Sequence, residues 1–314
     1  MFVASLAISL PIITSTALAQ VTRQDNGELS QSLKLPIYEW QDSEVPAKAM
    51  IVAIHGCTLH AGTFDFLARH LAAEGFLFYA PDLRGYGRWQ KGDFDSKKDC
   101  SIDYGQSETD LLAVLATLKK RHPDLKLYCL GESIGSNLAI LLAAKQPDLV
   151  DGLILASPCV KRIQHLGPRA LLDISWGVVR PHREISLNTY ITSYLSNDPR
   201  VTSAYINDPL CRKGVSFHDL LSTVAYNQLG VRNANELKPD LPVLFIAGKK
   251  DEIYKASAVP KFAQRIASAK KTIIIIPDQG HILVETPYMT ATVIGDIDHW
   301  LATITGSEKT LSFK

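Results

Sequence analysis

The 314-residue chain has no Cys-x-x-Cys pair, no His-Glu-x-x-His and no tight cluster of cysteine with histidine. Those absences exclude the common zinc, thioredoxin-type and metalloprotease signatures, and neither a metal nor a cofactor is expected. Excess charge is also lacking, with 33 basic residues against 32 acidic and a formal net charge of +1. No global field would draw the chain to nucleic acid, so no nucleic-acid partner is expected. The short basic stretch Lys119-Lys120-Arg121 reads as the solvated end of a helix. There is no internal repeat and no low-complexity segment, which sets aside solenoids and biased disordered chains. Cysteine is sparse and scattered, at Cys57, Cys100, Cys129, Cys159 and Cys211, an odd count that leaves at least one thiol free.

Charge is missing altogether from Met1 to Ala19, which ends in the small-x-small pattern Ala17-Leu18-Ala19. Polar chain begins at once with Gln20. The expectation is a signal peptide over residues 1–19, cleaved after Ala19, and an exported protein, periplasmic or secreted. The stretch carries no Lys or Arg ahead of its apolar part. The alternative is an uncleaved membrane anchor, although this one is barely long enough to span and contains Pro11.

What remains is 46% hydrophobic and long enough for one α/β domain with an insertion. Ala49-Met-Ile-Val-Ala-Ile54 is a short unbroken apolar run, the mark of a strand buried on both faces. The same reading gives strands over Phe76–Ala80, Leu125–Leu130, Leu153–Ala156, Val243–Ala247 and Thr272–Ile276, and a weaker early strand over Ser32–Trp40. Helices are expected over Thr63–Ala73, Tyr104–Lys120, Ile134–Lys145, Ser257–Ala267 and Pro287–Leu301. From Cys159 to Asp240 the strand–helix rhythm stops. The pattern is a mostly parallel, doubly wound sheet interrupted by an insertion. Residues 20–158 and 241–314 form the core, and residues 159–240 form a mainly helical cap.

Within Leu130-Gly-Glu-Ser-Ile-Gly-Ser136, the spacing Gly-x-Ser-x-Gly falls between an expected strand and an expected helix. A serine at such a turn is held in strained backbone geometry above the strand ends, and the flanking glycines let strand and helix approach. Ser133 is therefore the candidate nucleophile. A serine hydroxyl needs a base. His281 lies on the loop after strand Thr272–Ile276, at the same sheet edge, whereas His122 and His299 sit in or at the end of helices. The base needs an acid to fix its tautomer. Asp251 follows strand Val243–Ala247 and is favoured; the adjacent Glu252 and Asp278, three residues before His281, are rivals. The segment after Leu153–Ala156 reads Ser157-Pro158 and offers no carboxylate. The expected oxyanion hole pairs the N–H of Ile134 with that of Cys57, on the His55-Gly56-Cys57-Thr58 loop. His55 reads as a turn-stabilising side chain, and the Cys57 thiol as incidental. Cys57 and Cys100, both expected on loops at this edge, are one candidate disulfide.

His-Gly-Cys-Thr-Leu-His at His55–His60, Pro81-Asp-Leu-Arg-Gly-Tyr-Gly87 and Asn207-Asp-Pro-Leu210 resemble segments of the monoacylglycerol lipase and lysophospholipase-like α/β-hydrolases, the serine aminopeptidase-like branch of that superfamily. The resemblance spans most of Ala49–Leu301 and implies the α/β-hydrolase fold and a serine hydrolase with a cap over an acyl pocket. The expected reaction is cleavage of carboxylic esters, monoacylglycerol or lysophospholipid-like, through an acyl-enzyme. Peptidase or thioesterase chemistry on the same fold is the alternative, and a non-catalytic binding protein a remoter one. Leu171, Leu172, Ile174, Trp176, Val178 and Val179 in the insertion could cover an acyl chain or touch a membrane surface transiently, or simply pack the cap on the core. Three positions depart from the family: Glu132 stands where His is frequent, Ser136 where Gly is, and Arg88 where Ser is. Glu132, beside the nucleophile, is the first place to look for a departure from the lipase pattern.

Overall fold

The structure, a computed structural model, describes residues 20–91, 94, 101–163, 176–187 and 194–306. The expected signal segment, Cys100, and Leu171, Leu172 and Ile174 lie outside the described residues. The chain enters through β1 (Thr22–Gln24), α1 (Glu28–Leu33) and β2 (Ile37–Gln41). It continues as β3 (Ala49–Ile54), α2 (Asp65–Ala73), β4 (Phe76–Pro81), α3 (Tyr104–Arg121), β5 (Lys126–Glu132), α4 (Ile134–Lys145) and β6 (Gly152–Ala156). Next come β7 (Glu184–Ser186), α5 (Pro199–Asn207), β8 (Gly214–Ser216) and α6 (Phe217–Asn233). The alternation then resumes with β9 (Val243–Gly248), α7 (Val259–Arg265), β10 (Lys271–Ile276) and α8 (Ala291–Thr305). Among the described residues no helix is long and apolar enough to cross a membrane.

Eight strands make one sheet in the order β1-β2-β4-β3-β5-β6-β9-β10. β1 and β2 are antiparallel to their neighbours, and every pairing from β4 to β10 is parallel. The unbroken apolar run of β3 has a direct cause. Met50, Val52 and Ile54 face a core shared with α3, α4 and α7, while Ala49, Ile51 and Ala53 face a second core under α2 and α8. All six are fully buried. Burying each large aliphatic side chain favours the fold by roughly 1.5–3 kcal/mol. β7 and β8 form a separate antiparallel ribbon beside α6 in the insertion.

Two elements start well away from the sequence expectation. The early strand starts at Ile37 rather than Ser32, because Leu29 and Leu33 are one helical repeat apart and both pack on the core. Lys34 then closes α1 with a left-handed φ of 54°. The last helix begins at Ala291 rather than Pro287; Tyr288 N–H bonds to Thr286 Oγ1 at 3.1 Å, which holds that segment in a turn.

The cap is tied to the core at α4. A Cβ on Gly230 of α6 would lie 2.3 Å from the Asn137 carbonyl oxygen, so the two helices touch backbone to backbone there. Asn137 Nδ2 donates to the Asn227 carbonyl at 2.9 Å across the same seam.

Candidate active site

Ser133 sits between β5 and α4 with φ 56° and ψ −121°, a conformation that costs a non-glycine residue of order 1–3 kcal/mol. The glycines around it explain how the strain is held. A Cβ on Gly135 would lie 1.9 Å from the Ile54 carbonyl oxygen, and one on Gly131 would lie 2.2 Å from the Gly135 carbonyl carbon. Helix α4 thus rests directly on the ends of β3 and β5, and the serine is forced out above them. Ile134 is the first residue of α4, so its N–H is among those a helix leaves without an intrahelical acceptor.

The loop after β3 lies against the serine: a Cβ on Gly56 would come within 3.4 Å of Ser133 Cβ. Thr58 turns this loop with φ 74°, and Leu59 N–H closes it on the Gly56 carbonyl at 3.3 Å. His55 is fully buried, and its Nε2 accepts from Leu83 N–H at 3.0 Å, tying the loop to the end of β4. Burial lowers its pKa to about 4, so it is a neutral structural acceptor. Cys100, the expected disulfide partner of Cys57, lies outside the described residues; Cys57 is a free thiol whose sulfur rests 3.7 Å from Tyr86 Oη. Burial raises its pKa, which disfavours a thiolate.

The loops after β9 and β10 meet beside the elbow. A Cβ on Gly248 would lie 2.1 Å from the Gly280 carbonyl oxygen, and Lys250 N–H donates to the Gln279 carbonyl at 2.9 Å. That close contact brings His281 Nδ1 to 2.8 Å from Asp251 Oδ2, with both side chains buried. Asp251 Oδ1 accepts from the N–H groups of Ile253 and Tyr254 at 2.7 and 2.9 Å. Ser157, itself at φ 45°, donates its hydroxyl to the His281 carbonyl at 2.6 Å and anchors the loop to the end of β6. Of the rival carboxylates, Glu252 is exposed, and Asp278 is an exposed partner of Lys250 at 2.8 Å. Burial works against a charged imidazole, but the charge and hydrogen bond of Asp251, with the Glu132 charge, outweigh it, and the His281 pKa is raised. With Nδ1–H given to Asp251, Nε2 is left as the acceptor.

Sequence reasoning did not anticipate four groups around this centre. The Cys159 sulfur lies 3.5 Å from Ser133 Oγ, and burial pushes its pKa up to about 12, so it is a neutral wall. The Tyr254 ring faces that of His281, with centroids 5.8 Å apart. Asn137 accepts Cys159 N–H at 3.0 Å. Glu285 is buried beneath Gly56, whose N–H it accepts at 2.6 Å. The one available signal was the spacing His281-x-x-x-Glu285, which says nothing about burial. Glu132 itself turns inward, toward the backbone after His281.

Farther out, His60 Nε2 and Asp208 Oδ2 are 2.9 Å apart, linking the first core loop to the end of α5 in the cap. Their atoms and the Cys211 sulfur lie within 4.8 Å of one another, a spacing that could hold a cation. However, His60 Nδ1 accepts the Gly62 N–H at 3.1 Å, so Nε2 carries the proton and donates to Asp208. The trio reads as a bridge between cap and core. Beside it lies a cavity of about 310 Å³, lined among others by Leu59, Phe66, Val201, Tyr205 and Ile282. Ile282 connects that space to the histidine loop, while Ser133 does not line it.

Comparison with known proteins agrees with this architecture. The model of the serine aminopeptidase S33 family matches residues 45–287, from just before β3 to just past the histidine loop. The chain belongs to that family. This S33-family protein is also 28% identical over 280 residues to the monoglyceride lipase of Homo sapiens, spanning 87% of the chain and 88% of that relative. Among solved structures it resembles the monoacylglycerol lipase of Paleococcus ferrophilus, with TM-score 0.68, 22% identity and coverage of 86% of this chain and 98% of the other. It also resembles a carboxyl esterase from Bacillus coagulans, with TM-score 0.70, 18% identity and coverage of 91% and 99%. At these identities the structural likeness establishes the α/β-hydrolase fold of the S33-family protein.

Proposed function

We propose that the protein is a serine carboxylic-ester hydrolase that cleaves monoacylglycerol- or lysophospholipid-like lipids. The observation that carries this reading is the strained Ser133 elbow sharing one sheet edge with the His281–Asp251 pair. His281 Nε2 takes the Ser133 proton as Oγ attacks the ester carbonyl. The N–H groups of Ile134 and Cys57 receive the oxyanion. His281 then gives the proton to the leaving alcohol. Water, deprotonated by His281, attacks the acyl-enzyme and frees the acid and Ser133. The monoglyceride lipases among the relatives support the lipid ester. An aminopeptidase would need a carboxylate turned toward the substrate's α-ammonium. The three buried carboxyl groups at this site, Glu132, Asp251 and Glu285, are each engaged with backbone N–H groups.

A panel of monoacylglycerol, lysophospholipid, aminoacyl amide and thioester, run on the parent and on Ser133→Ala, tests the reading. Ester turnover lost in the variant supports it; turnover retained by the variant, or confined to the amide, overturns it. We also propose export with cleavage after Ala19, on the strength of the uncharged Met1–Ala19 segment. Amino-terminal sequencing of the mature protein would find Gln20 first, and a mature chain beginning at Met1 would refute cleavage. Transient membrane contact through the cap is supported by exposed Trp176, Val178 and Val179. Sedimentation with phospholipid vesicles tests it, and a protein left wholly in the supernatant would refute it.

A further inference from the structure

Two carboxyl groups are buried under the site, and the reaction above gives neither a role. Glu132 is fully buried, and it accepts the N–H groups of Leu283 at 2.6 Å, Val284 at 3.3 Å and Glu285 at 3.0 Å. These are the second to fourth residues after His281. Glu285 accepts the N–H of Gly56, immediately before Cys57, at 2.6 Å, and its other oxygen lies 2.9 Å from Thr63 Oγ1. The nucleophile's neighbour therefore holds the base loop, and the base loop holds the oxyanion loop.

Counting protons separates the two acids. Thr63 Oγ1 is within hydrogen-bonding distance of the His60 carbonyl, at 2.6 Å, and of Glu285 Oε2, at 2.9 Å, but it has one hydrogen. The carbonyl can only accept, so the hydroxyl hydrogen goes there. The Glu285–Thr63 contact is then satisfied by a proton on Glu285, which donates to Thr63 Oγ1. Glu132 has the opposite surroundings. Three N–H donors converge on it, and a carboxylate is the acceptor-only form. Two carboxylates buried this close would repel each other, whereas one proton placed on Glu285 removes the conflict. Burial raises both carboxyls, Glu285 well above the usual range and Glu132 to about 7, the N–H bonds and the His281 charge keeping Glu132 the more acidic of the two.

We infer that Glu132 is an ionised positioning residue for His281, and that Glu285 is a neutral acid holding the oxyanion loop. This rests on the reading of Ser133 and His281 given above. Ionised Glu132 does two things for the base. It fixes the backbone that carries the ring, and its charge favours the imidazolium formed when Ser133 is deprotonated. Asp251 and the Tyr254 ring lie against His281, Cys159 lies against Ser133 and Tyr254, His281 acts on Glu132, and Cys211 is near Glu285. Burial keeps Tyr254, Cys159 and Cys211 protonated and His55 neutral, which leaves Asp251 and Glu132 as the charges acting on the ring.

The test is the pH dependence of kcat/KM on a short p-nitrophenyl ester, with the rate of fluorophosphonate labelling at Ser133 as a second readout. The base works in its neutral form, so the acid limb follows the His281 pKa. Glu132→Gln removes the charge and leaves one oxygen to accept the backbone N–H groups, so Glu132→Asp, which keeps the charge, is measured beside it. Glu132→Gln is expected to move the acid limb down by roughly half a pH unit or more. Glu285→Gln can offer its amide hydrogen to Thr63 and its oxygen to Gly56, as the neutral acid does. Its acid limb is expected to stay where the parent's lies. An overlay of the Glu132→Gln and parent profiles, or an equal shift in both variants, would overturn the assignment. If Glu132→Gln fails to fold, the test falls to Glu132→Asp. Its acid limb is expected to match the parent's, and a downward shift with the charge retained would overturn the electrostatic role. Failure of Ser133 to label in the parent would sink the hydrolase reading itself, which separates the two outcomes.

Discussion

Replacing Asp251 by Asn exchanges one carboxylate oxygen for an NH₂ group, and the structure dictates how the amide must sit. One carboxylate oxygen accepts two N–H groups, from Ile253 and Tyr254 at 2.7 and 2.9 Å; the other faces His281 Nδ1 at 2.8 Å. An asparagine has one oxygen. If it keeps the two backbone bonds, its NH₂ faces Nδ1. The imidazole must then place its proton on Nε2, where it can no longer take the proton of Ser133. The flipped amide would restore the histidine tautomer but point NH₂ at two N–H donors. Leaving those buried donors unsatisfied costs about 1–3 kcal/mol each, so a flipped population of a few per cent or less is expected. The expected loss in kcat is about 10³–10⁴-fold, with little change in KM for a short ester. Stopped-flow acylation with a p-nitrophenyl ester measures it. Asp251→Asn acylating within tenfold of the parent would refute the tautomer argument and return Glu252 or Asp278 to consideration.

The same pair gives a pH dependence of stability. The His281 pKa is raised in the folded protein, mainly by Asp251 acting against burial. A raised imidazole pKa contributes stability that is fully present below the unfolded value, about 6.5, and is lost as pH rises through the folded value. The stability gap between parent and Asp251→Asn, from urea unfolding, is therefore expected to be wider at low pH than at high pH, and a gap widening toward high pH would contradict the sign. Gly135→Ala puts a methyl group 1.9 Å from the Ile54 carbonyl, so α4 must lift off β3. It is expected to cost about 3 kcal/mol or more, and an unfolding midpoint close to the parent's would show that the helix does not rest there. Asp208→Ala leaves the buried His60 Nε2–H without its acceptor and removes the bond to the Leu210 N–H at 2.8 Å. Faster proteolysis within residues 159–240, with the core fragments intact, is the expected result; cleavage at the parent's rate would remove the bridge from the account of how the cap is held.

The sequence by itself determined the features that depend on neighbours along the chain. β3 had to be an unbroken apolar run because a central parallel strand is covered on both faces, and that pattern can be read in six residues. The elbow at Ser133 was equally local, since a strand, two glycines and a helix lie within about twenty positions. The strand ends then placed His281 and Asp251 at the same edge, because a parallel sheet puts every βα loop on one side. Tertiary structure decided what is settled by partners far apart in the chain. That Asp251 rather than Glu252 or Asp278 meets the histidine follows from the crossing of two loops at Gly248 and Gly280. The bridge from His60 to Asp208 joins residues 148 positions apart, and the bond from Glu132 to Leu283 joins residues 151 apart. Neither has a periodic or compositional trace. A carboxylate beside a nucleophile in the sequence marks a departure from the lipase pattern without saying which way it points. Only the fold shows that the side chain after Gly131 must point inward, where three amide hydrogens meet it.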